Sequence, residues 1–123
     1  MISLTTDIRK PKTPFRPIKV FSRPITLGKR VIILTEDTLE KDFQEVLIAE
    51  AKQKGWLVYH AFDSRRSTSG FPDLVLARNG IVHHWELKVQ GKKPNRTQVE
   101  WIVALKARWW WPSQWEEIQE ILE

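Results

Sequence analysis

Asn79-Gly80 stands between two apolar, strand-like runs, Leu74-Val75-Leu76-Ala77 and Ile81-Val82-His83-His84-Trp85-Glu86-Leu87. An Asn-Gly pair in this setting is the strongest short-range hairpin signal, because a two-residue turn of the matching twist needs positive φ at both positions. A turn of that length also fixes the register of the two strands. Arg78 falls opposite Ile81, and five residues further from the turn on each side Asp73 falls opposite Glu86. Facing side chains in an antiparallel pair are separated by about 5 Å. Two carboxylates so placed repel, which a purely structural sheet has no reason to tolerate. A divalent cation between them removes the conflict, and oxygen ligands of this kind suit Mg²⁺ or Mn²⁺.

Lys88 lies two residues beyond Glu86 and so points to the same face. An ammonium there can hold an attacking water or offset charge that builds on a phosphoryl group. Taken singly, each residue has an ordinary explanation. Asp73 can end a strand after Pro72, and Glu86 with Lys88 can be a surface pair. Their joint spacing is what singles them out.

The flanking sequence predicts an α/β fold. A helix is expected from about Asp37 to Lys54, capped by Thr35 or Asp37, with Leu39, Phe43, Val46, Leu47 and Ala51 as its apolar stripe. Gly55 stops it, and Trp56 to Ala61 reads as a strand. A polar loop from Asp63 to Gly70 carries Arg65, Arg66 and Ser67. A second helix, about Arg96 to Ala107, is capped by Asn95 or Thr97, with Gln98 or Glu100 completing a box. A third follows Pro112, with Ser113 and Glu116 as its box and Ile118 and Ile121 facing inward. Val31-Ile32-Ile33-Leu34 is a short strand or a packing clip.

Charge divides the chain in two. Residues 1–35 hold eight Lys/Arg against Asp7 alone, a net of +7, which leaves −2 for the remainder of a chain whose total is +5. With Pro11, Pro14, Pro17 and Pro24 among the cations, this segment is expected to be an extended basic arm, 1–35, ahead of a folded domain, 36–123. Residues 1–24 are expected to pack poorly. Such an arm suits a phosphate backbone or is simply solvated. The absence of cysteine excludes disulfides, thiol nucleophiles and cysteine-ligated zinc. No long apolar run suits a membrane span and no signal peptide is evident, so a soluble, intracellular, cytoplasmic protein is expected.

Gly70-Phe71-Pro72-Asp73-Leu74-Val75 followed by Glu86-Leu87-Lys88 closely resembles the PD-(D/E)xK nuclease superfamily, and within it the virus-type replication-repair nuclease family. The resemblance runs from about Glu36 to Glu123. It takes in Glu40-Lys41-Asp42-Phe43-Gln44, Gly55-Trp56, Gln98 with Trp101, and Trp111-Pro112 with Trp115. It implies a restriction-endonuclease-like core, a small mixed β-sheet flanked by helices, and Mg²⁺- or Mn²⁺-dependent cleavage of DNA. The DNA would be branched, flap or Holliday-junction-like. It further implies a homodimer of the kind found among small, phage-encoded relatives.

On this resemblance Asp73 and Glu86 are the main metal ligands, Glu40 is a helix-borne acid beside them, and the Leu87 carbonyl adds an oxygen. Lys88 is the catalytic lysine and Gln98 a supporting polar residue. Glu40 and Gln98 have capping explanations too, with Asp37 and Asn95 respectively. His60 is a candidate phosphate contact. The register places His84 on the face of Glu86 and turns His83 away, although a satisfied or exposed imidazole is the commoner outcome for any of the three. Arg65, Arg66, Ser67, Lys92, Lys93 and Arg96 are candidate nucleic-acid contacts, any of which can equally be a solvated side chain.

The last part of the chain departs from the family pattern. Leu105 to Arg108 runs almost directly into Trp109-Trp110-Trp111, about five or six residues short of a turn and a full strand. The last strand is therefore expected to be lost, or very short at Trp109 to Trp111. Three consecutive tryptophans cannot all face one core, so at least one is expected to meet a second subunit. Two rivals to a nuclease stand beside it. One is a non-cleaving DNA-binding module on the same fold, and the other is a protein-interaction subunit using the arm and the tryptophans.

Overall fold

Alternating apolar runs, a helix-period stripe and well-placed turn residues produce a computed structural model that describes residues 16–60 and 69–123. In chain order its elements are β1 (Ile25–Leu27), β2 (Arg30–Ile32), α1 (Glu40–Gln53), β3 (Leu57–His60), β4 (Leu74–Arg78), β5 (Ile81–Leu87), α2 (Arg96–Leu105), β6 (Arg108–Trp110), a 3₁₀ turn at Pro112–Gln114, and α3 (Trp115–Leu122). The molecule is α/β, with a small mixed sheet flanked by helices. The main sheet has the order β3-β4-β5-β6, antiparallel except for the parallel pair β5 and β6.

Asn79 and Gly80 both take positive φ, 52° and 81°, as the two-residue turn requires. Arg78 then faces Ile81 and Leu74 faces Trp85, which is the register expected from the turn. Leu74, Leu76, Trp85, Leu87 and Trp110 are buried together with Phe43, Val46, Leu47 and Ala51 of α1 and Trp115, Ile118 and Leu122 of α3. Truncating any of the large members of such a core costs about 2–5 kcal/mol. Ile121 packs at the margin of this core. On the opposite side α2 has no buried residue.

The last strand survives in three residues, Arg108–Trp110, one earlier than Trp109 to Trp111. Lys106 makes the tight connection by closing α2 in the left-handed conformation, φ 55°, a position usually given to glycine. The Ala107 N–H then donates to the Ile102 carbonyl at 2.8 Å. Trp110 is fully buried within its own chain, so any contact of the tryptophans with a second subunit falls to Trp109 or Trp111.

The first helix starts later than its charge pattern predicts. Its N-cap is Leu39, with no side-chain cap, so neither Thr35 nor Asp37 caps it and Glu40 has no box with Asp37. The reason lies in the preceding segment. Glu36 is held by Arg16 at 2.9 Å and by the Lys19 N–H at 2.7 Å. Thr35 and Thr38 spend their hydroxyls within the same turn, accepting from the N–H groups of Asp37 and Thr35 respectively. The box expected of Ser113 and Glu116 does not form either. α3 has no side-chain cap, and the Ser113 N–H is bound by Gln90 at 3.0 Å.

Part of the basic segment is folded. β1 and β2 form a hairpin, Leu34 is fully buried, and Phe21, Ile25, Leu27 and Ile32 pack against the core. Val31 to Leu34 thus supplies both a strand and a packing clip. Within the described part of 1–24, residues 16–20 are exposed, whereas Phe21 packs against the core. Among the described residues no helix is long and apolar enough to cross a membrane.

Candidate metal and nuclease centre

The site forms at the end of the sheet where β4 begins and β5 finishes, between the N-termini of α1 and α2. Asp73 immediately precedes β4, and its Oδ2 accepts the Leu87 N–H at 2.8 Å. Pro72 bears on the other backbone group of Leu87. The Lys88 N–H turns to β6 and donates to the Trp110 carbonyl at 3.0 Å, so Leu87 turns its own backbone groups towards β4. Continuing the register puts Pro72 there, which has no N–H to give. The Asp73 carboxylate satisfies the Leu87 N–H, and the Leu87 carbonyl receives no strand donor from Pro72.

Glu86 is the one buried charged side chain among the described residues, 2% exposed. It meets Asp73 through that residue's backbone N–H and its carboxyl, and its Oε2 accepts Gln98 Nε2 at 2.8 Å. The two acids are neighbours across the strands, as the turn predicts. Burial, then the charge of Asp73, pushes the Glu86 carboxyl up to about 8. Burial also raises Asp73, against the opposing pull of the Leu87 N–H, His60 and Lys88.

Gln98 performs both of the roles that its sequence position allows. Its N–H donates to Asn95 Oδ1 and its Oε1 accepts the Asn95 N–H, each at 2.9 Å, which is a complete capping box. The same amide donates to Glu86 and accepts Lys88 Nζ at 3.3 Å. The start of α2 and the orientation of Glu86 and Lys88 are therefore one hydrogen-bonded unit.

Glu40 is the first residue of α1 and is half-buried. Burial and the nearby Asp73 raise its carboxyl, while Lys88 and Lys92 hold it down. Glu40 at the start of α1, Asp73 just before β4, and Glu86 and Lys88 at the end of β5 thus sense one another. His60 Nε2 lies 3.0 Å from Gln44 Oε1, and its charge favours ionised Asp73. His84 shares an edge-to-face contact with Phe71, while His83 sits between Trp56 and Trp85, as the alternation of the strand requires. Lys92 and Lys93 lie in the loop into α2 and Arg96 is the first residue of that helix, all three exposed. Arg65, Arg66 and Ser67 lie outside the described residues.

Four further residues shape the site. Gln44 is one helical turn beyond Glu40 and so reaches the same end of the sheet, which its spacing could have signalled. Asn95 carries the Gln98 unit. Gly70, at φ +86°, packs so tightly on α2 that a Cβ would lie 2.6 Å from Thr97 Cγ2 and 2.8 Å from the Thr97 carbonyl. That contact fixes the loop leading to Asp73. Trp109 is the register partner of Glu86 on β6, a placement that depends on the length of β6 and has no local sequence signal.

Among the described residues no three acid or imidazole side chains close around a single point. The donor set nevertheless fits a hard divalent cation. Two carboxylates face each other across the strands and sense each other's charge, a third senses the first, and the Leu87 carbonyl belongs to the same end of the sheet. The raised carboxyls reflect desolvation together with like charges brought to one place. Comparison with protein-family models, with curated proteins and with solved structures gives no match.

Proposed function

We propose that the chain is a metal-dependent DNA nuclease with a PD-(D/E)xK centre. The observation that carries this reading is the contact of Asp73 with Glu86 across a register-fixed hairpin, with Lys88 tied to Glu86 through Gln98. A Mg²⁺ or Mn²⁺ ion held by Asp73, Glu86, Glu40 and the Leu87 carbonyl would supply Lewis acidity, lowering the pKa of a water and offsetting phosphate charge.

The chain's own residues have separable tasks in that scheme. Asp73 and Glu86 hold negative charge at one point and keep each other oriented. Gln98 fixes the position of Glu86 and of the Lys88 ammonium, which lies where it can stabilise negative charge developing on a phosphoryl oxygen. Lys92, Lys93 and Arg96 give the approaching backbone a cationic rim. In this scheme water is the attacking group, activated by the metal. The family resemblance supports branched or flap DNA as substrate and a homodimer as the working form.

Incubation of the full chain with labelled linear, flap and four-way DNA, in Mg²⁺, Mn²⁺ or chelator, tests the reading. Metal-dependent cutting that Asp73→Asn abolishes, with DNA binding retained or improved, is expected. Cutting by Asp73→Asn at the wild-type rate would show that the centre is elsewhere. Lys88→Ala should keep metal-dependent stabilisation and slow the chemical step.

A further inference from the structure

A groove of about 540 Å³ runs beside the acidic centre, lined by Lys93, Ile102, Ala107, Arg108, Trp109, Trp111 and Gln114. Its position follows from the parallel pairing of β5 with β6. Trp109 faces Glu86 directly in register, so its side chain shares the face on which Glu86 and Lys88 meet α2. One strand spacing, about 4.8 Å, separates their backbones. Trp111 lies two residues on and falls on the same face.

The two indoles meet edge to face, with centroids 5.2 Å apart at 84°. Such a contact uses one face of one ring and leaves flat aromatic surface on the other. Trp111 is anchored by its Nε1, which donates to the Lys92 carbonyl at 2.6 Å, so the pair is also fixed to the cationic loop. Among the described residues no carboxylate lines the groove, whereas exposed Lys93 stands at its edge. Arg108 contributes to the wall although its guanidinium turns away, over Trp110 and towards Glu117. Aromatic faces beside a cation, with no acid, complement a base joined to a phosphate, and this is how single strands are bound without sequence preference.

We infer that the groove between α2 and β6 holds an unpaired nucleotide, its base stacked on the Trp109–Trp111 pair and its phosphate beside Lys93. The inference rests on the nuclease reading for its purpose. It would give the enzyme a preference for single-stranded DNA next to the scissile phosphate, as at a flap or a branch. Duplex DNA presents no free base face to such a groove.

Binding without cleavage separates this from the nuclease reading. Affinities of the full chain for labelled (dT)12, for a 12-base-pair duplex and for an abasic strand of the same length would be measured in chelator by anisotropy. The wild type should prefer (dT)12 to the abasic strand by at least about fivefold, the lower bound for stacking one base on an aromatic side chain. Trp109→Leu should lower (dT)12 affinity by a similar factor and change duplex affinity by less than about twofold. Lys93→Glu, at an exposed position, should weaken both single strands, because each keeps the phosphate that the ammonium meets.

Equal affinity of the wild type for the abasic and base-bearing strands would overturn the inference, as would equal loss on single strand and duplex in Trp109→Leu. So would sedimentation showing that Trp109→Leu converts a dimer to a monomer, because the groove would then be covered by a second copy. Selective single-strand loss with no cutting of any DNA in Mg²⁺ would remove the nuclease reading and keep the groove. Cutting without strand selectivity would do the reverse.

Discussion

Glu86 bears the largest electrostatic cost in the described chain, and a pH series of thermal melts measures it. In the unfolded chain its carboxyl titrates near 4.5, while in the fold it is pushed up to about 8, first by burial and then by Asp73. Between those values the native state keeps a proton that the unfolded state has released. The resulting stability is fully present below about pH 4.5 and is lost as pH rises through about 8. Asp73 is raised by burial, and Glu40 by burial and then by Asp73, so both act in the same direction. The metal-free protein should therefore melt at higher temperature at pH 5 than at pH 8.5. Asp73→Asn should flatten that dependence and raise the melting temperature at the upper end, since the facing charge is gone. Mg²⁺ should stabilise the wild type at pH 8 and the variant much less, by the ordinary linkage of a ligand to the native state. A wild type whose melting temperature rises steadily from pH 5 to 8.5 in chelator would contradict the assigned repulsion. This pairing is legible in the sequence because one Asn-Gly turn fixes every facing pair outward from it. The protonation state is not, since it depends on how deeply the packed helices bury Glu86.

At the scale of elements, α2 is the part most sensitive to a single side chain. It buries no residue of its own, so its placement relies on the Gly70–Thr97 contact, on Phe71 against Trp101 at 5.1 Å, and on Gln98. Two substitutions separate the roles of Gln98. Gln98→Ala removes the box and the site contact together, and should cost about 1 kcal/mol of stability. Gln98→Glu retains a residue that completes a capping box, but sets a carboxylate against Glu86 in place of an amide donor. Its melting temperature should be near wild type at pH 5 and fall at pH 8. Both should reduce metal-dependent cleavage by about 10- to 100-fold, the usual effect of removing a partner that orients a ligand. Full activity in Gln98→Glu would mean that the amide serves only the helix. The Asn95–Gln98 box is readable from four residues of sequence. The start of α1 is not, because Glu36 pairs with Arg16 and Lys19, which are distant in sequence. The length of β6 is not either, because it depends on Lys106 accepting a glycine-like conformation.

At the scale of the whole molecule, the division between a basic arm and a domain falls differently in charge and in packing. The charge boundary is near residue 35, yet the hairpin at Ile25–Ile32 and the side chains of Phe21 and Leu34 belong to the packed body. Sequence patterning misses this because a three-residue strand is too short to show alternation, and its partner supplies most of the evidence for it. Two truncations should therefore behave unlike each other. Removing residues 1–15 takes away Arg9, Lys10 and Lys12 with Asp7, and leaves every packing contact named above in place. It should leave the melting temperature unchanged and weaken DNA binding, with the salt slope reduced by roughly 1–3, since each phosphate neutralised adds about 0.9 to that slope. Removing residues 1–24 also takes Phe21, whose N–H donates to the Leu34 carbonyl at 2.7 Å, and the bonds from Arg16 and Lys19 to Glu36. Deleting the partly buried Phe21 alone should cost roughly 1–3 kcal/mol, and the freed Glu36 would stand near the start of α1, where a negative charge is favourable. The longer truncation should thus lower the melting temperature by several degrees and lower DNA affinity further. Thermal melts and titrations of both proteins at two salt concentrations measure the two effects separately. If the 1–15 truncation binds DNA with unchanged affinity and salt slope, the first fifteen residues make no contact with the phosphate backbone, and the cations of the loop into α2 carry the electrostatic attraction instead.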